Sequence, residues 1–379
     1  MKILSIFGTR PEAIKMAPVV KELNRHRDQF TSVVCVTAQH RQMLDQVLSL
    51  FDITPDYDLN LMRPDQTLLQ VTTDALIKLD EVLREEKPDW VLTQGDTTTA
   101  MAGALAAFYR RVHVGHVEAG LRTWDKFRPF PEEIHRRVAD AVSDLHFAPT
   151  ETARRNLLRE AAPDARIVVT GNTVIDALLD VAARDYDWES GELRKAPRDR
   201  RLILVTAHRR ENFGEPLLEI CAALEELVAS FPDAHVVYPV HLNPNVRNVV
   251  YRRLGGVERI TLLEPLEYLP LAQLMKASHL VLTDSGGLQE EAPSLGKPVL
   301  VLREVTERPE GVEAGTVKVI GTDRRRIVAE TAKLLEDPAE YERMSRVINP
   351  YGDGHASKRI VESLKTTGWS LLASSKSKT

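Results

Sequence analysis

Arg10 and Lys15 in FGTRPEAIKMAP, Asp96 in TQGDTTTA, Glu118 in GHVEAGLRT, Glu132 in PFPEE, His208 and Arg209 in AHRRENFG, and Ser285 to Glu291 in SGGLQEE could all do chemistry. Cations beside a helix start favour an anion, because early helical N–H groups lack acceptors and the helix dipole adds positive potential. Thr9 and Glu12 have the spacing of a capping box, and Pro11 suits a first turn, so Arg10 and Lys15 flank such a start. The pair reads as a phosphate site, or equally as solvated charge on a first helical turn. Pro18 is expected to kink or restart that helix.

The acids suggest proton transfer. Asp96 follows an apolar run and could also be a plain N-cap for a helix at 97–108. Glu132 and Glu133 open a helix whose buried face is expected to run through Ile134, Val138 and Val142, and dipole complementation alone would explain both acids. Glu118 ends a buried run in a glycine-flanked loop, where a charge needs a partner, and Arg122 is the expected one. In the second half, His208 and Arg209 follow another apolar run, and His208 could donate a hydrogen bond or a proton to phosphate. Gly286 and Gly287 after Ser285 would let a ligand reach backbone N–H groups, with Glu291 placed for a ribose diol. Arg308 in TERPEGV is a further cation, or ordinary surface charge.

Short β-branched runs alternating with helical periods must position these groups, the pattern of parallel sheets covered on both faces. The first set is 2–7, 32–37, 90–94, 112–117, 145–148 and 166–170; the second is 202–206, 235–238, 259–262, 279–282, 298–302 and 316–320. The fold class is therefore α/β, with two doubly wound Rossmann-like domains facing across a cleft, and ligands in such sheets bind beyond the carboxyl ends of the strands. The expected division is 1–171, 172–354, a helix at 355–372 packing back on the first domain, and a disordered tail at 373–379. The charged segment 184–201 reads as a linker. A chain of 379 residues with 43% apolar content supports two cores. With 28% charged residues and a net charge of −5 it lacks the broad basic field that selects nucleic acid. No apolar run is long enough for a membrane span and no signal-peptide pattern opens the chain, which reads as cytoplasmic. Cys35 and Cys221 suit buried thiols, not a disulfide or a metal site.

FGTRPEAIKMAP, TAQHRQMLDQVL, GDTTT, GHVEAGLRT, PFPEE, AHRRENFG, VYPVHLNPNV, LTDSGGLQEEAPSLGKPVLV, TERPEGV and NPYGDG occur in that order. In this series the chain resembles the bacterial non-hydrolysing UDP-N-acetylglucosamine 2-epimerases over nearly its whole length. The resemblance implies the glycosyltransferase type B fold and a homodimer. It implies Arg10 on the diphosphate with Lys15 nearby, and Asp96, Glu118 and Glu132 in proton transfer. His208 would lie by the diphosphate and sugar, with Arg209, Ser285, Gly286 and Gly287 on the UDP side, Glu291 on the ribose and Arg308 on the sugar or diphosphate. It also implies a possible activator site for a second substrate molecule at Gln39, His40, Gln42 and His241; Asp65 stands where that pattern has arginine, with Arg63 two positions away.

The chemistry fits these residue types. The C2–H of an N-acetyl sugar has no adjacent carbonyl to acidify it. Transient oxidation would need a nicotinamide, but no G-x-G-x-x-G follows any strand, so no dinucleotide cofactor and no metal is expected. Elimination of UDP to 2-acetamidoglucal, with re-addition from the other face, needs only acids near C2 and cations around the diphosphate. UDP-N-acetylglucosamine and UDP-N-acetylmannosamine are the expected partners, and cell-surface polysaccharide synthesis is the expected destination. The competing readings are a hydrolysing relative that releases N-acetylmannosamine, a glycosyltransferase of the same fold, and a nucleotide-sugar-binding regulatory module.

Overall fold

The computed structural model describes residues 1–37, 41–63 and 65–376. By packing, the chain forms two compact units, Met1–Ala177 with Gly352–Thr379, and Leu178–Tyr351. Unit 1 contains the strands β1 (Lys2–Phe7), β2 (Thr31–Val36), β3 (Tyr57–Asp58), β4 (Trp90–Gln94), β5 (His113–Val117), β6 (Leu145–Ala148) and β7 (Ile167–Val169). They form one sheet in the order β3-β2-β1-β4-β5-β6-β7, with every adjacent pair parallel. Six of these strands match the apolar runs; β3 is two residues long and leaves no run to read. Helices cover both faces, so Ile3, Leu4 and Ile6 of β1 are all fully buried, each contributing about 1.5–3 kcal/mol.

Unit 2 repeats the plan. Its strands β8 (Arg201–Thr206), β9 (Ala234–Pro239), β10 (Ile260–Leu263), β11 (Leu280–Thr283), β12 (Val299–Val301) and β13 (Val317–Val319) lie in the order β10-β9-β8-β11-β12-β13, again all parallel. In each sheet the strand order reverses once, between β1 and β4 and between β8 and β11. At such a reversal the connections leave the two strands in opposite directions and open a crevice beyond their carboxyl ends. The candidate residues after β1, β4, β8 and β11 therefore stand at the two crevices.

Three local expectations change. The helix Arg10–Arg25 runs unbroken through Pro18, because Met16, Ala17, Val19 and Val20 are buried on both sides of it and hold the turn. The segment 184–201 packs onto unit 2 instead of spanning free. Leu193 and Ala196 are buried, Gln273 Nε2 donates to the Arg184 carbonyl at 2.8 Å, and Thr261 Oγ1 donates to Lys195 O. At the other end, the helix Ala356–Ser363 passes through a wider turn at Leu364–Gly368 into Trp369–Lys376, so residues 373–376 are helical; 377–379 lie outside the described residues.

Asp176, 8% exposed in the helix Thr173–Ala182, fastens this returning segment. It accepts hydrogen bonds from Ala356 N at 3.1 Å, Ser357 N at 2.8 Å and Ser357 Oγ at 2.6 Å, so the carboxylate caps the new helix. Asp176→Ala should lower the urea-unfolding midpoint by the equivalent of about 2–3 kcal/mol. An unchanged midpoint would show that water replaces the carboxylate without loss.

Candidate active site

The turn after β1 begins the site in unit 1. Thr9 is the N-cap of the helix Arg10–Arg25, and the capping box with Glu12 is complete. Glu12 also accepts from Gly8 N at 3.0 Å, Thr9 N at 2.7 Å and Thr97 Oγ1 at 2.5 Å, tying this turn to the loop after β4. Burial pushes its carboxyl above the ordinary range, against the pull of the Thr97, Thr9 and Gly8 hydrogen bonds. No hydrogen bond or ion pair joins the half-buried Arg10 guanidinium to another described residue.

Lys15 reaches across the sheet instead. Its Nζ lies 2.7 Å from both carboxylate oxygens of Glu118, 103 residues away. Gln94 Nε2 donates to Glu118 Oε2, and Asn172 Nδ2 donates to Oε1 at 3.0 Å. Glu118 is 7% exposed and its φ is +64°, a left-handed conformation that a side chain with Cβ adopts at a cost of about 1–3 kcal/mol. Gly120, two residues on, has φ +87°, and a Cβ there would stand 2.4 Å from the Ala153 carbonyl, so the turn that carries Glu118 depends on glycine. Arg122, the partner expected for Glu118, is drawn elsewhere: its Nη2 lies 2.6 Å from Asp140 and 2.5 Å from Glu160.

Asp96 is not the N-cap of the next helix. Thr97 caps Thr98–Tyr109, while the Asp96 carboxylate accepts from Arg136 at 2.6 Å and its carbonyl oxygen lies 3.1 Å from His135 Nδ1. The helix Glu132–Val142 is turned from its expected orientation. Glu133, His135, Arg136, Ala139 and Asp140 are its buried side, and Ile134 is 39% exposed. Hydrogen-bonding partners decide the rotation: Glu133 accepts from Thr123 N at 3.0 Å and Trp124 N at 3.1 Å, while Arg136 and Asp140 meet Asp96 and His116. Glu132 carries a buried Oε2 with no hydrogen-bond partner among the described residues, an acid oxygen left available at this end of the helix.

Unit 2 gathers cations. The fully buried Asp284 accepts from His208 N at 2.7 Å, Arg209 N at 2.8 Å and Asn212 Nδ2 at 3.0 Å, so one carboxylate shapes the AHRREN loop. His208 stacks on His241, ring centroids 5.2 Å apart and planes 10° apart. Burial holds the His208 ring below the ordinary histidine value; the Asp284 charge opposes this, and His241 and Arg209 add to it. A Cβ at Gly286 would lie 3.9 Å from Arg209 Nη2 and from Arg308 Cζ and Nη2, so both guanidinium groups border this glycine. Arg308 is braced by the Glu290 carboxylate and donates its backbone N–H to Thr306 Oγ1 at 3.0 Å. The Glu291 carboxylate takes the Tyr268 hydroxyl at 3.2 Å and stands 3.4 Å from the Cβ position of Gly287, with Ser285 Oγ at 3.8 Å. Of the activator residues, Gln39 and His40 and the side chain of Gln42 lie outside the described residues. Arg63 stands 3.6 Å from Asp74, and Asp65 has φ +57°.

Gln94, Asn172, His116, Asp140 and Asp284 are the functional neighbours that residue-by-residue reading missed. For Gln94, His116 and Asp284 the signal is the polar side chain inside or ending an apolar run, as in WVLTQ, VHVGHV and VLTD; Asp140, in mid-helix, and Asn172, in the turn before Thr173, carry no such signal. Such a side chain is buried and must find a partner.

Residues 21–365 match the family described as UDP-N-acetylglucosamine 2-epimerase. The chain belongs to that family. By family it is an isomerase with the glycosyltransferase type B fold. It is 57% identical to the UDP-N-acetylglucosamine 2-epimerase of Escherichia coli K12, over 98% of this chain and 100% of that one. The structure of the Neisseria meningitidis enzyme bound to UDP-GlcNAc has a TM-score of 0.86 at 52% identity, covering 96% of this chain and 99% of that one. The S. aureus structure with UDP gives 0.85 at 52% identity, covering 96% of each chain.

The stacked His208 provides a check on the unit 2 site. Its ring protons should titrate below about 6.5, the ordinary histidine value. Asp284→Asn, by removing the opposing charge, should lower the midpoint further; an upward move in proton NMR would show that Asp284 does not act on this ring.

Proposed function

We propose that the chain interconverts UDP-N-acetylglucosamine and UDP-N-acetylmannosamine by elimination and re-addition of UDP, without hydride transfer. The observation that carries the reading is Glu118, a buried carboxylate in strained backbone, gripped by Lys15, Gln94 and Asn172 within the unit that also presents Asp96 and Glu132. Strain and convergent polar contacts of this kind mark functional positions in a scaffold. The ligands in the relatives' structures support the same substrate class.

In the forward step the C1–O bond breaks and its electron pair leaves with the β-phosphate of UDP. A carboxylate takes the C2 proton, and the C2–H pair becomes the C1–C2 double bond of 2-acetamidoglucal. The reverse step delivers a proton to the opposite face of C2 while the phosphate oxygen reattacks C1. Two faces require two proton positions, and Asp96, Glu118 and Glu132 supply the acids. Arg209 and Arg308 beside Gly286 offset the charge on departing UDP, His208 donates to it, Glu291 holds the ribose hydroxyls, and Arg10 is a further cation for the diphosphate. The product is an activated sugar, and cell-envelope polysaccharide synthesis in the cytoplasm is the proposed destination.

We also propose a homodimer. Leu69 and Ile77 on the helix Leu68–Glu86 and Phe108 and Tyr109 at the end of Thr98–Tyr109 are all more than half exposed, an apolar face that a second copy would cover. Ile77→Asp with Tyr109→Asp should halve the mass in sedimentation equilibrium; a wild-type mass of one chain would refute the dimer outright.

Incubation with UDP-N-acetylglucosamine in D2O, followed by proton NMR, tests the reaction. UDP-N-acetylmannosamine with deuterium at C2 is expected; free N-acetylmannosamine with UDP would establish the hydrolysing reaction instead. Asp96→Asn and Glu118→Gln should each lower turnover by about 10²–10⁴-fold with UDP affinity retained. Parallel loss of UDP binding would mean that these acids serve the fold.

A further inference from the structure

His116 lies within β5 and its ring is 0% exposed. Nδ1 is 2.6 Å from Asp140 Oδ1, and Nε2 is 2.7 Å from the Gly95 carbonyl oxygen. Carboxylate and carbonyl oxygens only accept, so a neutral ring with one N–H can satisfy one of them, whereas an imidazolium satisfies both. The second oxygen of Asp140 accepts Gly120 N at 3.2 Å and Arg122 Nη2 at 2.6 Å. One buried carboxylate thus holds Gly120, two residues after Glu118, directly. It holds Gly95, the residue before Asp96, through the ring. Gly95 and Gly120 both have positive φ, so these contacts grip the loops where they bend.

We infer that His116 is a buried imidazolium paired with Asp140, and that the two are positioning residues fixing the Asp96 and Glu118 loops in one frame. This rests on the reading of Asp96 and Glu118 as the proton-transfer acids. Titratable or charged groups face the pair from β6 and from the loop after β5. From β6, His146 lies opposite His116 in register and its Nδ1 is 3.5 Å from Asp140 Oδ1. Arg122 enters from the loop after β5 and is itself shared with Glu160, while β4 offers only the neutral Thr93 in register with His116. Burial opposes charge on His116, but the Asp140 charge and hydrogen bond, with the Gly95 carbonyl, outweigh it and raise the ring above its ordinary value. Burial likewise works against the Asp140 charge, and His116, with His146 and Arg122, overcomes it and holds that carboxyl far below the carboxylate range.

The sign follows from the raised ring. Its contribution is complete below the unfolded value, about 6.5, and is lost as pH rises through the folded value. Above that point one of the two contacts must break and a loop is released. His116 therefore governs an alkaline limb in kcat.

Histidine-selective ¹⁵N labelling of the full chain, at a pH just above the ordinary histidine value of about 6.5, should show among its 11 histidines a doubly protonated ring whose N–H protons resist solvent exchange. Asp140→Asn should abolish that signal, lower kcat by about 10²-fold with KM changed less than about threefold, and shift the alkaline limb to lower pH. A folded variant with unchanged kcat and limb would overturn the inference. So would the absence of a protected doubly protonated ring in the wild-type chain, a result that stands even if the variant does not fold. Failure of the epimerase reading would appear separately, as no conversion of UDP-N-acetylglucosamine by wild-type chain that still shows the ring.

Discussion

A buried carboxylate must be surrounded by donors, and that requirement shapes both crevices. Asp140 in unit 1 and Asp284 in unit 2 are at most 6% exposed, and each accepts backbone N–H groups from a loop that carries candidate residues. Removing the partner of such a charge typically costs about 3–5 kcal/mol, so the loop cannot drift without leaving the acid unpaired. These loops lack regular secondary structure, and Asp140 and Asp284 hold their backbone in place of a strand partner. A site on such loops keeps its geometry because the acid under it has no alternative in water.

The same logic separates the acids of unit 1 by environment. Both oxygens of Glu118 are occupied by Lys15, Gln94 and Asn172, so this carboxylate can take a proton only when a donor withdraws. Asp96, half-buried, has Arg136 on one oxygen, and Glu132 keeps an oxygen without a hydrogen bond. Carboxylates in such different settings are suited to different tasks, since the ease of gaining and losing a proton follows the number and charge of the donors around each. Lys15 brings to the Glu118 cluster a long stem ending in a point charge, whereas the two amides sit on strand β4 and on the backbone-tied turn before Thr173.

Strand positions were legible because β-branched runs buried on both faces leave little ambiguity, and the residues that follow them fall at the crevice by topology alone. The two-residue β3 was not, since it has no room for a period. Pairings across the sheet were also hidden. Nothing near Lys15 in sequence points to Glu118, and Arg122, four residues from Glu118, looked the nearer partner until the fold gave it Asp140 and Glu160. The helix Glu132–Val142 shows the limit most clearly. Its apolar stripe predicts one rotation, but Arg136 and Asp140 find partners only in the other, and burying satisfied charge outweighs leaving Ile134 partly exposed.

Two sheets that share one order over their first six strands therefore carry different chemistry at their reversal points. In unit 1 the strand ends deliver acids, the amides that steady them, and the cations Arg10 and Lys15; in unit 2 they deliver arginines, a glycine turn and a histidine stack. Topology sets where side chains arrive, through the parallel pairing of β1 with β4 and of β8 with β11. The residue at each strand end sets what arrives. The buried carboxylate is what the two designs share, and it turns one fold into either surface: Asp284 spends its lone pairs on the backbone N–H groups of a cationic loop, and Asp140 divides its own between a backbone N–H, an arginine and a ring. At Asp140 donors reach both oxygens, so an amide there would have to turn its own N–H groups toward groups that also donate, which is why an ionised acid, costly as its burial is, suits that position.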